Sequence, residues 1–297
     1  GVAPLEWDAI RAAQAVVVEW ENPPALPTSS GLHAQMRTAT TTDNVVLDRG
    51  DVRVAADEAA ATVVQRGDAP YQAHAPFAPN CALADVRPDG GLVICSSQDV
   101  HAARRGIAQL VGLPPEKMRV QYGEGAGTYG HSCYDDVAQA AALLSQLAGA
   151  PVRLQFMRAD EHGWDTYGPP HVGEARLSAD ANGRIVAYEY HGWQHNWSLV
   201  ETTSQLAGAA PATEWPPVAV QGVNALTCGG MYDIANVKLV NHRLPGLAYL
   251  RGAWLRSPLD LAFAFVSEQA VDQLAVQLAI DPVELRRRNV KDERWRG

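Results

Sequence analysis

The sequence predicts an α+β (mixed α/β) fold with mixed sheets, hairpins and packed helices, and three observations carry that expectation. Short alternating runs that read as strands ("CALADVR", "GLVICSS", "KMRVQY", "VKLVNHRL") are interleaved with runs of helical period. The stretch "GEARLSADANGRIVAYEYHGWQ" reads as two alternating strands around "ANG", a hairpin signature rather than a repeating βαβ unit. At 297 residues the chain is long enough to bury a large core in one or two domains.

Taken in order, residues 4–14 read as a short helix and "AVVVEW" (15–20) as a strand. "ENPPALPTSSG" is a Pro/Ser-rich break, and residues 34–50 are polar and loop-like. A helix is expected from about Ala55 to Arg66, with Asp57 and Glu58 in its first turn. A boundary near 65–70 separates an N-terminal segment and linker (1–65) from a domain over 66–297. "CALADVR" and "GLVICSS" flank the turn "PDGG". The helix of "DVHAARRGIAQLVGLPP" has Asp99 as N-cap, Ala103, Ile107 and Leu110 on one face, and Gly112 at its end. "KMRVQY" is the next strand. A glycine loop follows, then a helix from about Tyr134 to Leu147 with Asp135 and Asp136 in its first turn and Gly149 at its end. "VRLQFM" is a strand, residues 198–232 are irregular, and "DLAFAFVSEQAVDQLAVQLA" is a long helix. "DPVELRRRNV" is a second helix, with Asp281 as N-cap and Pro282 at the first helical position.

Lys plus Arg total 24 and Asp plus Glu 33, a formal charge of −9 that argues against nucleic acid or an anionic membrane as the main partner. No apolar run approaches the roughly 20 residues of a membrane helix. Cys81, Cys95, Cys133 and Cys228 form no C-x-x-C pair, so neither structural zinc nor an iron–sulfur cluster is expected within the chain. A disulfide framework is not expected at this length, Cys81–Cys95 across the hairpin being the one pairing to consider. The chain starts at Gly1 without Met and ends on "ERWRG", which reads as a processed subunit or a piece of a longer polypeptide.

Within "RVQYGEGAGTYGHSCYDDVAQAAALL", Gly125, Gly127 and Gly130 spell G-x-G-x-x-G. Three readings compete. Glycines can simply turn a strand sharply into a helix. A Rossmann turn would bind a nicotinamide dinucleotide, with "VRLQFMRADE" as the second strand and Asp160 or Glu161 at the ribose, but Tyr129 is bulky inside the loop and no second mononucleotide half is found. The third reading is a cradle for another anion, a pterin pyrophosphate or a metal-oxo group, in which loop N–H groups and the positive end of the following helix converge.

"GEGAGTYGHSCYDDVAQAAALL", "PVRLQFMRADEHGWDTYGPP" and "DANGRIVAYEYHGW" resemble the molybdopterin-binding large subunit of the molybdenum hydroxylases, the xanthine dehydrogenase and aldehyde oxidase family. The likeness is to the bacterial isoquinoline 1-oxidoreductase and nicotinate dehydrogenase type. It extends to "YQAHAPFAPNCALADV", "SSQDVHAARRGIAQLVGLPPEKMRV" and "LAYLRGAWLRSPLDLAFAFVSEQAVDQLAVQLAIDPVELRRRNVKD". The resemblance implies that residues 66–297 are the first molybdopterin-binding domain, with the second absent from this chain. It implies molybdopterin as cofactor, in its cytosine dinucleotide form, and hydroxylation of an N-heterocycle or aldehyde carbon with oxygen from water. Electrons would leave through iron–sulfur clusters on a partner subunit, with a cytochrome c as a further acceptor. The remainder of the molybdenum subunit is a second implied partner, and the compartment would be bacterial cytoplasm or periplasm.

Carried over by position, Gln98 corresponds to the glutamine that hydrogen-bonds an oxo ligand of molybdenum. The loop Gly125, Ala126, Gly127, Thr128, Tyr129 and Gly130 corresponds to the glycine loop that passes the metal. Arg251, in "YLRGAW", corresponds to the arginine that approaches substrate or metal, where a guanidinium can orient a carboxylate. Read from the residues alone, Gln98 is a polar residue beside a helix cap and Arg251 an ordinary ion-pair partner. His162 and Trp164 of "EHGW", and His74 of "AHAP", are further candidates for a substrate funnel. Two departures stand out: Ala78 where relatives carry an acid, and Thr128 where many carry an aromatic residue. The family's catalytic glutamate lies in a G-x-G-E-like segment that this chain does not contain. A scaffold that keeps the fold without the metal is therefore the alternative, beside the nicotinamide enzyme.

Overall fold

Small and branched residues at every second position build the first sheet. In the computed structural model, which describes residues 1–21, 25–133, 135–198, 201–209, 214–215, 231–247, 249–258 and 260–292, the chain forms two compact units. The first comprises Gly1–Pro27, Ala73–Thr166 and Leu199–Thr213; the second comprises Thr28–Gln72, Tyr167–Ser198 and Glu214–Gly297. The expected N-terminal helix is α1 (Glu6–Gln14). The two-residue strands β3 (Gln72–Ala73) and β8 (Tyr167–Gly168) lie where the chain passes from one unit to the other.

In the first unit β4 (Cys81–Arg87), β5 (Gly90–Cys95), β6 (Met118–Tyr122) and β7 (Val152–Gln155) form a four-stranded sheet in the order β6-β5-β4-β7. β5 and β6 are parallel, and β4 runs antiparallel to both β5 and β7. Ala82, Ala84, Val86, Val93 and Cys95 point to one face and pack against α4 (Val100–Val111) and α5 (Asp136–Ala148). Ile107, Ala108, Ala138, Ala141 and Ala142 supply the helical side of this core, and each is fully buried. Both helices end as their sequences predict, on left-handed Gly112 and Gly149. Asp99 caps α4 by accepting from the His101 and Ala102 N–H groups at 3.1 and 2.9 Å.

The second unit is a sheet ordered β1 (Thr42–Arg49), β12 (Asn236–Leu247), β10 (Ile185–Ser198), β9 (His171–Ala179), β2 (Ala61–Ala69), with the two-residue β11 (Glu214–Trp215) on β10. β9 and β10 are the predicted hairpin, and among the described strands of this sheet β10 and β12 are the parallel pair. Gly67, Gly173 and Gly192 face one another across β2, β9 and β10. A Cβ at Gly67 would lie 2.6 Å from Val266 Cγ2, so the bare backbone there is what lets α8 (Asp260–Leu278) press onto the sheet. His171, Tyr190 and Phe263 fill the space beside this row, with His171 Nε2 2.8 Å from the Tyr190 hydroxyl. α9 (Pro282–Asn289) follows, capped by Asp281 as expected.

Several expectations are corrected. "AVVVEW" pairs with no strand among the described residues: Val17 is 92% exposed, and Trp20 rests on Trp164 with ring centroids 5.9 Å apart. Residues 34–50 hold α2 (Ser29–Thr38) and β1 instead of a loop; Leu32 and Met36 of α2 are buried against Val172 and Leu244, a helical period hidden among polar neighbours. The helix expected from Ala55 to Arg66 is only α3 (Val52–Asp57), capped by Asp51, so Asp57 closes it and does not open it. The β-branched run Thr62–Val63–Val64 goes into β2, where sheet partners outweigh local alanine content. "VRLQFM" pairs only to Gln155, because α6 (Arg158–Trp164) begins just beyond. α5 starts at Asp136, while Tyr134 lies outside the described residues, as do most of 198–232 and Cys228. Around Glu201, α7 (Thr202–Leu206) docks on α5 through the Ser204 hydroxyl and Gln139 Oε1, 2.5 Å apart. Cys81 and Cys95 are free thiols, since the register sets Ala82 opposite Cys95.

Burial depresses the His171 imidazole to about 3. The unfolded chain therefore takes up this proton near pH 6.5 while the folded chain resists it, so stability is full above that value and falls as pH drops towards about 3. Urea denaturation at stepped pH is expected to show this loss, and His171→Gln, which keeps a partner for Tyr190 but cannot charge, is expected to flatten it. Equal slopes in both proteins would reject the assignment.

Candidate functional site

β6 runs out at Tyr122, and the chain then makes an irregular turn, residues 123–130, before a 3-10 turn at His131–Cys133. Each glycine of the motif is required for a reason visible in the backbone. Gly127 and Gly130 have φ of +96° and +107°, which side chains strain to adopt. At Gly125 a Cβ would meet Ser96 Cβ at 2.9 Å. Tyr129, itself at φ +55°, lays its ring where a Gly127 Cβ would stand, at 3.0 Å from its nearest atom. Backbone and side-chain bonds clip the turn along its length. Gly123 N donates to Cys95 O at 2.8 Å, Phe77 N to Ala126 O at 3.2 Å, and His131 N to Thr128 O at 3.1 Å.

Gln98 is brought directly onto this loop. Its Oε1 accepts from Gly130 N at 3.0 Å, and its own N donates to Ser132 O at 3.0 Å. A backbone N–H needs an oxygen, so the side-chain amide is oriented and Nε2 is the group left to donate elsewhere. The loop walls a cavity of about 570 Å³ on the sheet face turned away from α4 and α5. Leu83, Ile94, Ser96 and Gln155 line it from the sheet, and Gly125 and Gly127 from the loop. Among the described residues its lining holds no Lys or Arg and includes Glu124.

A buried polar network fixes the far end of the loop. His131 is 3% exposed; its Nε2 lies 3.1 Å from Asp165 Oδ2 and meets the Asn80 side-chain amide, while Nδ1 lies 3.0 Å from Ser132 Oγ. Burial opposes a charge on His131, but the bonded Asp165, with Asp135 and Glu161 nearby, outweighs it and raises the imidazole above its ordinary value. Glu161 is the buried member of "EHGW". Its Oε1 accepts from Asn80 N at 2.7 Å and its Oε2 from Arg158 Nη1 at 2.6 Å, tying α6 to the segment leading into β4. Asn80, His131 and Asp165 carry no local signal that distinguishes a buried polar network from surface polarity, and Glu161, a candidate only for a ribose contact, serves this network instead. Of the residues the sequence reading did single out, His162 and Trp164 are exposed, Ala78 lines the cavity, and His74 is buried with Nδ1 3.0 Å from Thr166 O.

Two sequence expectations fail here. The N-terminus of α5 does not offer a free positive end to the loop: Asp135 caps it, accepting from Ala138 N at 3.3 Å. Burial pushes that carboxyl up to about 6, with His131 opposing, and the adjacent Cys95 thiol up to about 12. Asp136 also holds Thr203 N at 3.0 Å, so two acids already occupy this end. The Rossmann topology fails as well, because β7 pairs antiparallel with β4 at the edge opposite β6, whereas a dinucleotide fold needs it parallel beside β6.

Arg251 belongs to the second unit. It is half-buried, and its carbonyl accepts from Tyr167 N at 2.8 Å while Ala253 N returns to Tyr167 O at 2.9 Å, which fixes the "RGA" backbone. On the same unit His195 is buried, its ring edge-on to Tyr249 at 5.1 Å. The loop and Gln98 thus form one constellation, and Arg251 is anchored separately.

A family model describing a molybdopterin cofactor-binding domain matches residues 36–290. A nicotinate dehydrogenase subunit of Pseudomonas putida is 30% identical over 99% of this chain and 24% of its own length. The aldehyde oxidoreductase of Megalodesulfovibrio gigas is 26% identical over 97% of this chain and 31% of its own. Among solved structures, the aldehyde oxidoreductase from Desulfovibrio gigas superposes with a TM-score of 0.79 at 22% identity, covering 98% of this chain and 31% of that one. Quinoline 2-oxidoreductase from Pseudomonas putida 86 does so with a TM-score of 0.76 at 20% identity, covering 97% and 36%. The chain therefore spans about a quarter to a third of the length of these proteins.

Gly127→Ala is expected to cost roughly 1–3 kcal/mol by placing a Cβ at a strained φ against the Tyr129 ring. Asp135→Ala is expected to cost about 1 kcal/mol through the lost cap. Denaturant midpoints measure both, and a wild-type midpoint in Gly127→Ala would show that the loop is not held as described.

Proposed function

The chain belongs to the molybdopterin cofactor-binding domain family, and from that premise we propose that it is the first cofactor-binding part of the molybdenum subunit of a hydroxylating oxidoreductase. The reaction proposed is oxygen insertion from water at an electron-poor carbon. An N-heterocycle is the first substrate class, by analogy with the names of the nicotinate and quinoline relatives, and an aldehyde the second. The single observation that carries this reading is the loop of residues 123–130 with Gln98 clipped to it.

The residues present fit the group. A turn that leaves no room for a Cβ at Gly125 and Gly127, the oriented neutral amide of Gln98, and a cavity lining whose one charged side chain among the described residues is Glu124 suit a pterin and a metal-oxo end, whose charge a neutral donor leaves unaltered. They suit a pyrophosphate poorly, because the cavity carries Glu124 and no cation. When bound, the cofactor supplies the two-electron redox chemistry. Gln98 would donate from Nε2 to a metal-bound oxo group, and residues 125–130 would shape the wall beside it. Arg251 would orient substrate, its permanent charge and planar fork being suited to a carboxylate. The base would come from the remainder of the subunit. The cytosine dinucleotide form of the cofactor, its pyrophosphate held by the remainder of the subunit, an iron–sulfur partner subunit, a cytochrome c acceptor and a bacterial cytoplasmic or periplasmic location complete the proposal.

The test uses the full-length subunit assembled with its natural partners. About one molybdenum per assembly is expected by metal analysis; none would favour a scaffold that has lost its metal. Gln98→Ala is expected to lower turnover about 10–100-fold, the usual scale for a group that supports a metal centre. Arg251→Ala is expected to lower kcat/KM for a carboxylate-bearing substrate more than for an uncharged one. Unchanged turnover in both variants would reject the assignment.

A further inference from the structure

Strands β1, β12 and β10 carry a line of four titratable side chains that the proposed site does not use. Asp43 Oδ1 lies 2.6 Å from His242 Nδ1, His242 Nε2 lies 2.8 Å from His191 Nδ1, and His191 Nε2 lies 3.2 Å from Glu189 Oε1. The imidazole planes are within 11° of each other with centroids 5.1 Å apart. Nitrogens that close on parallel rings that far apart must lie between the rings, edge to edge. The contact is an in-plane N–H···N bond and not a face-to-face stack.

The proton count follows from this geometry. A carboxylate only accepts, so the two outer nitrogens, His242 Nδ1 and His191 Nε2, both carry hydrogen. If both rings were neutral, two bare lone pairs would then face each other at 2.8 Å. If both were charged, N–H would point at N–H. One proton between them is the state that satisfies all four nitrogens, and it leaves the pair with a single positive charge between two carboxylates. Trp193 stacks on His242 with centroids 4.5 Å apart, placing a π face against that charge. Asp43 is held below the ordinary carboxylate value chiefly by its bond to His242, which keeps its end of the line anionic.

We propose that one proton shared by His191 and His242 pins the edge strand β1 to the sheet, so that its attachment passes through a maximum as pH changes. Other charges surround the pair. Glu174 stands opposite His191, while Arg176 and Lys238 stand opposite Glu189, and Arg66 pairs with Glu174 at 2.6 Å. α2 contributes His33 and Arg37, both paired with Asp68, and α3 contributes Arg53 paired with Asp57. Among the described residues none of these bonds to the two inner nitrogens, so they set where the maximum lies and not whether there is one.

Hydrogen–deuterium exchange of the full-length protein tests this. Peptides covering Thr42–Arg49 are followed across about pH 5 to 8 and corrected for intrinsic exchange. Wild-type protection is expected to peak within the range and to fall about tenfold on either side, the scale of one charge-assisted hydrogen bond. His191→Phe is expected to replace the peak by a monotonic decline with rising pH, because a lone His242 needs only its own proton. Asp43→Asn, at an exposed edge position where folding is not at stake, is expected to move the alkaline fall to lower pH by removing the anion that favours the charged pair. Peptides from β2 serve as the folding control. A wild-type curve that is flat, or that coincides with either variant, would overturn the proposal.

Discussion

The constraint on which the rest of the first unit depends is the backbone path of residues 123–130. Two positive φ angles, one Ser96 contact and one aromatic ring leave room for glycine alone at three positions. That path would be costly if its ends were loose, and the fold secures both. The near end is held by strand pairing through Gly123 and Cys95 O. The far end is held by His131, whose imidazole the bonded Asp165 raises above its ordinary value despite burial. Glu161 and Arg158 carry the same restraint to the segment before β4, so loop, strand entry and α6 form one rigid frame. A rigid frame matters for a cofactor site because a metal-oxo group is recognised by donors fixed in advance, and Gln98 owes its orientation to Gly130 in that frame.

The second unit applies a related device to a different end. A row of glycines across β2, β9 and β10 lets α8 approach the sheet, and the neutral His171 and Tyr190 complete the packing there. Glycine thus serves backbone shape in one unit and close helix approach in the other. Neither role can be separated by counting glycines, and each becomes clear only from the neighbours a Cβ would strike.

What was legible in the sequence was whatever local chemistry enforces. Asp99, Gly112, Gly149, Asp281 and Pro282 mark helix ends because caps act within a few residues, and the hairpin around "ANG" follows from alternation. The α+β class and the family were likewise readable. What was missed depended on distant partners. "AVVVEW" has strand-like residues but joins no strand among the described residues, and Thr62–Val64 pairs with β9, more than a hundred residues further along the chain. Gln98 and the glycine loop were each assigned a role at the metal through the resemblance, and the bond between Gln98 Oε1 and Gly130 N is a contact that assignment did not include. The helix dipole was read as part of an anion cradle, but the first-turn acids that looked favourable for the helix already occupy its end. The His131–Asp165 pair could not be seen at all, because a 34-residue separation carries no sequence signal.

The central claim is that the turn after Tyr122 wraps a pterin-held metal centre with Gln98 as a donor to it. An experimental structure of the cofactor-loaded, full-length assembly addresses it directly. The account predicts pterin density along residues 123–130 and a metal-bound oxygen about 3 Å from Gln98 Nε2. Side chains of the remaining subunit filling that cavity, with the metal held out of reach of Gln98, would contradict it.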